Sequence, residues 1–218
     1  SEKIARELGG QPLVQARLMD TMGNVYRSLG LYASAAPLLE RGLEIREKAL
    51  GEKSLDAAQS LISAARLCVD GGKFDEAVSF GRRAADIREK ALGADHVEVA
   101  WSLYWIGAAL SMKRDLEGAR PPLKRALEIF ERRLGPDDMA VAWALTDLGT
   151  THTLGGDYLA AQACDERAVR IKEKNLGPDH PDVALSLNNV AYDLTQMGDF
   201  AAAKPLVERA LRIQIKSL

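Results

Sequence analysis

Residues 176–214, LGPDHPDVALSLNNVAYDLTQMGDFAAAKPLVERALRIQ, hold the pattern that decides the fold. Within them Val183, Leu187, Val190, Ala191 and Leu194 recur at spacings of three and four, Gly198 interrupts, and Ala203, Leu206, Val207, Ala210, Leu211 and Ile213 resume the same period. A helix returns to one face every 3.6 residues, so each run forms one apolar stripe and the glycine marks a turn between two helices. The opening Leu176-Gly177 dipeptide also stands at Leu8-Gly9, Leu50-Gly51, Leu92-Gly93 and Leu134-Gly135, always 42 residues apart, and Leu218 falls on the same grid. Arg41, Arg83, Arg125, Arg167 and Arg209 keep that spacing, as do Ile45, Ile87, Ile129, Ile171 and Ile213. The chain is therefore an array of equal helical hairpins, with repeats at approximately 12–51, 54–93, 96–135, 138–177 and 180–218. Residues 1–8 read as the tail of a preceding helix.

Working outward, the turn inside each hairpin carries Gly30, Gly72, Gly156 or Gly198, with Arg114 as the exception, and an apolar residue follows within two positions to dock it. Ser54, His96, Asp138 and His180 precede the longer apolar runs, which places helix starts near 55, 97, 139 and 181. No alternation of period two occurs, so strands are not expected. The expected fold is all-α: a single hairpin cannot cover both its apolar faces, and stacking on its neighbours builds one continuous core, a solenoid spanning 1–218 as one domain.

Composition narrows the function. Of 218 residues, 47% are hydrophobic and 28% charged, an ordinary globular balance that excludes disorder. No stretch is apolar enough to cross a bilayer, so no direct membrane contact is expected. The net charge of −2 gives no field that would draw a phosphate backbone, so no nucleic-acid partner is expected. Two cysteines, Cys68 and Cys164, exclude a disulfide scaffold.

Small residues define the subtype. Gly23, Ala65, Gly107, Gly149 and Ala191 lie on the first helices; Ala35, Ala77, Ala119, Ala161 and Ala203 open the second; Gly42, Ala84, Ala126, Ala168 and Ala210 follow on it. With these offsets, VALSLNNVAYDLTQMGDFAAAKPLVERALRIQ and SLGLYASAAPLLERGLEIREKALG resemble tetratricopeptide repeats of the 42-residue subclass found in kinesin light chains and many bacterial proteins. The resemblance covers essentially the whole chain. It implies a right-handed superhelical solenoid of antiparallel helix pairs and a protein-binding role. Arg114 in place of the turn glycine, Gly81 and Asp165 where a large apolar residue is common, and the doubled Pro121-Pro122 depart from the pattern. The opening QPLVQARLMDTMGNVYRSLGLY is similar to repeat arrays that follow the kinase domain in some bacterial serine/threonine kinases, which makes a fragment of a larger bacterial signalling protein the expected context. A cytoplasmic location is expected, with a periplasmic or extracytoplasmic one as the alternative for a membrane-tethered kinase.

The resemblance also implies that the first helix of each hairpin lines a concave groove, at positions one, four, five and eight after its opening alanine. Those positions hold Arg17, Asp20, Thr21 and Asn24; Gln59, Ile62, Ser63 and Arg66; Trp101, Tyr104, Trp105; Trp143, Thr146, Asp147 and Thr150; and Leu185, Asn188, Asn189 and Tyr192. All three tryptophans fall in this set, and they are expected to form one patch. The candidate peptide-binding residues are Arg17, Asn24, Arg66, Trp101, Tyr104, Trp105, Trp143, Asp147, Asn188, Asn189 and Tyr192. Aromatic rings with arginine dominate many binding surfaces, and asparagine amides can hold a peptide backbone of any sequence. Packing of the rings between hairpins, merely stiffening the array, is the competing reading.

Catalytic chemistry finds no support, and neither a metal nor a cofactor is expected. His96 and His180 share one column 84 residues apart, and His152 sits at a core-like position occupied elsewhere by Tyr26, Cys68, Leu110 and Leu194. Neither cysteine has an obvious histidine partner, and both read as small buried hydrophobes. Asp70-Gly71-Gly72-Lys73 lacks the first glycine of a phosphate loop, since position 67 is Leu67. Two alternatives to peptide binding follow: self-association through terminal helices, with Leu211, Ile213, Ile215 and Leu218 exposed on the last one, and stacking of single-stranded RNA on the aromatic face. The latter ranks last because the groove lacks the cationic lining that base stacking needs.

Overall fold

In a computed structural model, residues 10–217 are described, and among them ten α-helices and no strand are found. They are α1 (Pro12–Ser28), α2 (Tyr32–Leu50), α3 (Leu55–Asp70), α4 (Phe74–Leu92), α5 (Val97–Met112), α6 (Leu116–Leu134), α7 (Met139–Leu154), α8 (Tyr158–Leu176), α9 (Pro181–Gln196) and α10 (Phe200–Lys216). The expected tail at residues 1–8 lies outside the described residues, as does Leu218. The chain divides into two compact halves, the first ending at Lys113 and the second beginning at Arg114.

The helix starts follow from their caps. Ser54 Oγ accepts from the Ala57 amide at 3.2 Å, His96 Nδ1 from Glu98 at 3.1 Å, Asp138 Oδ1 from Ala140 at 2.8 Å and His180 Nδ1 from Asp182 at 3.1 Å. Each satisfies an amide that a helix leaves without an internal partner. The turn within each hairpin needs a left-handed residue: Gly30, Gly72, Gly156 and Gly198 have φ between 73° and 84°, and Arg114 is forced to the same region at 69°. A side chain there costs about 1 kcal/mol.

In the first half α1 packs on α2, α3 on α4 and α4 on α5, while α1 lies beside α3 and α3 beside α5. In the second half α6 packs on α7, α7 on α8, α8 on α9 and α9 on α10. Close approach depends on the alanine columns: Ala16, Ala58, Ala100, Ala142 and Ala184 are all buried, as are Ala35, Ala77, Ala119, Ala161 and Ala203. Ala58, Leu61, Ile62, Ala84 and Ile87 form one core cluster of the first half. Val183, Leu187, Val190, Leu194 and Ile213 belong to one in the second. Ile213, expected on an open seam, is therefore core: its side chain turns inward onto α9 while Leu211 and Ile215 remain exposed.

Buried cations tie neighbouring hairpins together. Arg46 on α2 donates to Asp20 and to Ser60, Arg88 on α4 to Ser102 Oγ at 3.0 Å, and Lys172 on α8 to Ser186 Oγ at 2.7 Å. Burial pushes the Asp20 carboxyl up from its ordinary range, against the pull of Arg46.

Candidate peptide-binding surface

In the first half the odd-numbered helices stand side by side, so residues on one helix reach those on the next. Trp105 on α5 is half-buried against the cluster of Ala58, Leu61 and Ile62, and the Arg66 guanidinium on α3 lies 5.1 Å from the centre of its ring. Tyr104 meets Trp105 edge-on at 5.1 Å and 77°, and Trp101 at 5.7 Å and 87°. A cation over one ring and T-shaped contacts among three are mutually favourable, and they hold the rings in fixed orientations. Burial, then the neighbouring Arg27, lowers the Arg66 pKa from its ordinary value. Arg27 itself is paired with Asp70 at 2.5 Å, bridging α1 and α3. Asn24 Nδ2 donates to Ser63 Oγ at 3.3 Å and to the Asp20 carbonyl at 2.8 Å. Arg17 stands exposed at the start of this face.

Three expected groove positions are not available to a ligand. Asp20 is 8% exposed and turned to Arg46, and Ile62 and Ser63 are buried under neighbouring helices. Gln59, though exposed, accepts from Arg88 Nη2 at 2.8 Å. In this half α1 touches α3 and α3 touches α5, so positions four and five after the alanine are partly sealed.

In the second half Trp143 on α7 is 42% exposed and Tyr192 on α9 is 53% exposed. Asp147 on α7 and Asn188 and Asn189 on α9 are half-buried. Thr150, Thr153, Leu154, Asn189 and Tyr192 line a cavity of about 130 Å³ whose remaining wall is Asp165 of α8. Asp165 was absent from the candidates. Its signal in the sequence was a carboxylate in the column of Leu39 and Leu123.

Nothing nucleophilic converges here. Cys68 and Cys164 are free thiols; burial pushes Cys68 up to about 11 and raises Cys164 as well. His152 Nδ1 lies 3.2 Å from Asp157 Oδ2 at a hairpin turn. Among the described residues no group of three or more His, Cys, Asp or Glu side chains could hold a metal ion, and no helix is long and apolar enough to cross a membrane.

With this geometry in place, the sequence matches the tetratricopeptide repeat family over residues 14–90, 72–132, 98–174 and 141–216. The chain belongs to the tetratricopeptide repeat family. No curated protein matches it significantly. Among solved structures, BtubC (BKLC) from P. vanneervenii is 24% identical, with 99% of this chain and 87% of that one covered at a TM-score of 0.82. A putative kinesin light chain with nearly identical TPR-like repeats from Podospora anserina is 23% identical, with 95% and 98% covered and a TM-score of 0.78. A Rap protein complexed with Competence and Sporulation Factor is 17% identical, with 93% and 55% covered and a TM-score of 0.78. At these identities the likeness is one of fold. Tetratricopeptide repeats with such neighbours support a protein-interaction scaffold, and the all-α helical repeat expected from the sequence is the fold observed.

Proposed function

We propose that in each half the faces of the odd-numbered helices bind an extended segment of a partner protein, in the first half with a large apolar side chain of that segment seated on Trp101 and Trp105, and that the chain serves in a larger bacterial signalling protein. The observation that carries the reading is the arrangement of Arg66, Trp101, Tyr104 and Trp105: four large side chains of the kind that dominate interfaces, half-buried and mutually oriented, on helices whose core positions are already filled by Leu61 and Leu103. Preset rings lose little entropy on binding, which is where a rigid surface gains affinity. In the second half, exposed Trp143 and Tyr192 with the Asn188 and Asn189 amides supply the same combination of apolar anchor and backbone-holding groups. The Rap protein seen with Competence and Sporulation Factor has this fold, and a ligand-holding helical repeat is consistent with it.

The test is to select peptides on the wild-type chain from a random library and measure their affinity by fluorescence anisotropy for Trp101→Ala/Trp105→Ala. A loss of about 30-fold, equivalent to about 2 kcal/mol, is expected with the helical circular dichroism retained. Unchanged affinity refutes the reading. Self-association is the second reading, favoured by exposed Phe200, Val207, Leu211 and Ile215 on α10. Light scattering across a concentration series decides it, a mass of twice 23.7 kDa being the positive result.

A further inference from the structure

The second half buries two carboxylates at positions that are mostly apolar in the other repeats. Asp165 on α8 stands where Leu39 and Leu123 stand, and is 1% exposed. Asp193 on α9 stands in the column of Val25, Leu67, Ala109 and Thr151, and is fully buried. Burying a carboxylate is costly unless every oxygen finds a donor. Asn189 donates to Asp165, and Thr153 Oγ1 donates to Asp193 Oδ1 at 2.7 Å. Asp165 Oδ1 and Asp193 Oδ2 are buried and accept no hydrogen bond from the protein. Gly149 makes the room for this arrangement, since a Cβ there would fall 2.7 Å from Asp165 Oδ1.

Asp165 also forms a wall of the cavity of about 130 Å³, whose mouth carries the exposed Thr150 and Tyr192. One water occupies about 30 Å³, so there is space for a planar head group rather than a single solvent molecule. The field is negative: Asp193 from α9 and Asp147 from α7 act on Asp165, against Lys172 of its own helix, whose ammonium donates to Thr146 and Ser186. A guanidinium suits this lining. Its fork of donors matches a carboxylate, and its flat face stacks on a phenol ring such as Tyr192.

We infer that this cavity receives a guanidinium, the head of an arginine in a partner segment bound on the second half. The inference rests on the odd-numbered helices being the ligand surface and adds the chemistry of one contact. Burial first, and the charge of Asp193 second, push the Asp165 carboxyl up to about 7. A guanidinium binds the ionised form, so its entry releases a proton and its affinity falls as Asp165 becomes protonated, by about tenfold between pH 8 and pH 6.

The experiment is an amide NMR titration of the whole chain with N-acetyl-arginine methylamide and, in parallel, with the uncharged citrulline counterpart. Saturable shifts at Thr150, Asn189 and Tyr192 are expected with the arginine compound alone, stronger at pH 8 than at pH 6, and absent in Asp165→Asn. Equal responses to both compounds, no saturation at pH 8, or an unaltered Asp165→Asn would overturn the inference. The wild-type comparisons do not depend on the variant folding. Because the probe contains no apolar anchor and the tryptophan test concerns residues of the first half, failure of this contact and failure of the tryptophan surface are read separately.

Discussion

Arg88 on α4 donates to the Ser102 hydroxyl on α5 at 3.0 Å, and the same pairing occurs one repeat earlier between Arg46 and Ser60 and two repeats later between Lys172 and Ser186. At the one intervening repeat the two positions are Phe130 and Ala144, both fully buried. The cation and the serine are therefore exchanged as a pair: where the cation is absent, a phenyl ring fills its volume and the hydroxyl is gone too.

That exchange can be reproduced. Ser102→Ala alone removes one acceptor of a buried guanidinium and should cost about 1 kcal/mol. Arg88→Phe/Ser102→Ala installs the pair found at 130 and 144, and should return to within about 1 kcal/mol of the wild type in urea unfolding. Arg88 has further acceptors in Gln59 Oε1 at 2.8 Å and the Glu98 carbonyl at 3.0 Å, and it is paired with the Glu98 carboxylate at 2.6 Å; that carboxylate is 41% exposed, so removing Arg88 leaves its charge in water and not buried.

A second compensated pair lies at Gly81 and Ile106. A Cβ on Gly81 would fall 2.6 Å from Ile106 Cγ1, whereas one repeat earlier the same positions are Leu39 and Ala64. Large and small have changed places. Gly81→Ala should destabilise by about 1–3 kcal/mol through overpacking, and Gly81→Leu/Ile106→Ala should be the milder change than Gly81→Leu alone, measured as a double-mutant cycle.

Arg114 is the only non-glycine residue with positive φ among the described residues, at 69°. Arg114→Gly relieves the clash of its Cβ with the backbone and should stabilise the chain by about 1 kcal/mol, seen as a rise in Tm of about 2–4 °C.

Legibility differed by feature. The glycine and alanine columns and the caps at Ser54, His96, Asp138 and His180 were readable because backbone conformation and close packing admit few residue types. The helices begin at Leu55, Val97, Met139 and Pro181, one residue after each cap. The inner surface was less readable. Asp20 matches the groove pattern, but its burial depends on Arg46, 26 residues away on another helix. Asp165 was visible as an exception to a leucine column, but not as a cavity wall, because that cavity needs α7, α8 and α9 together.

Asp165 gives a pH dependence of stability. Its folded pKa of about 7 lies above the ordinary 3.8, so the folded state holds a proton that the unfolded state releases. The stability this contributes is full below about pH 4 and is lost as pH rises through 7. Asp165→Asn carries no such proton, so its stability relative to the wild type should increase between pH 5 and pH 8, by an amount on the order of 1–3 kcal/mol in parallel urea titrations.

The three tryptophans provide the most direct measurement of the central claim, because each contributes one indole N–H resonance. On titration with a selected peptide, the resonances of Trp101 and Trp105 are predicted to move saturably, together with the backbone amides of α3 and α5. Unmoved indoles, with the peptide's shifts confined to the even-numbered helices, would contradict the account.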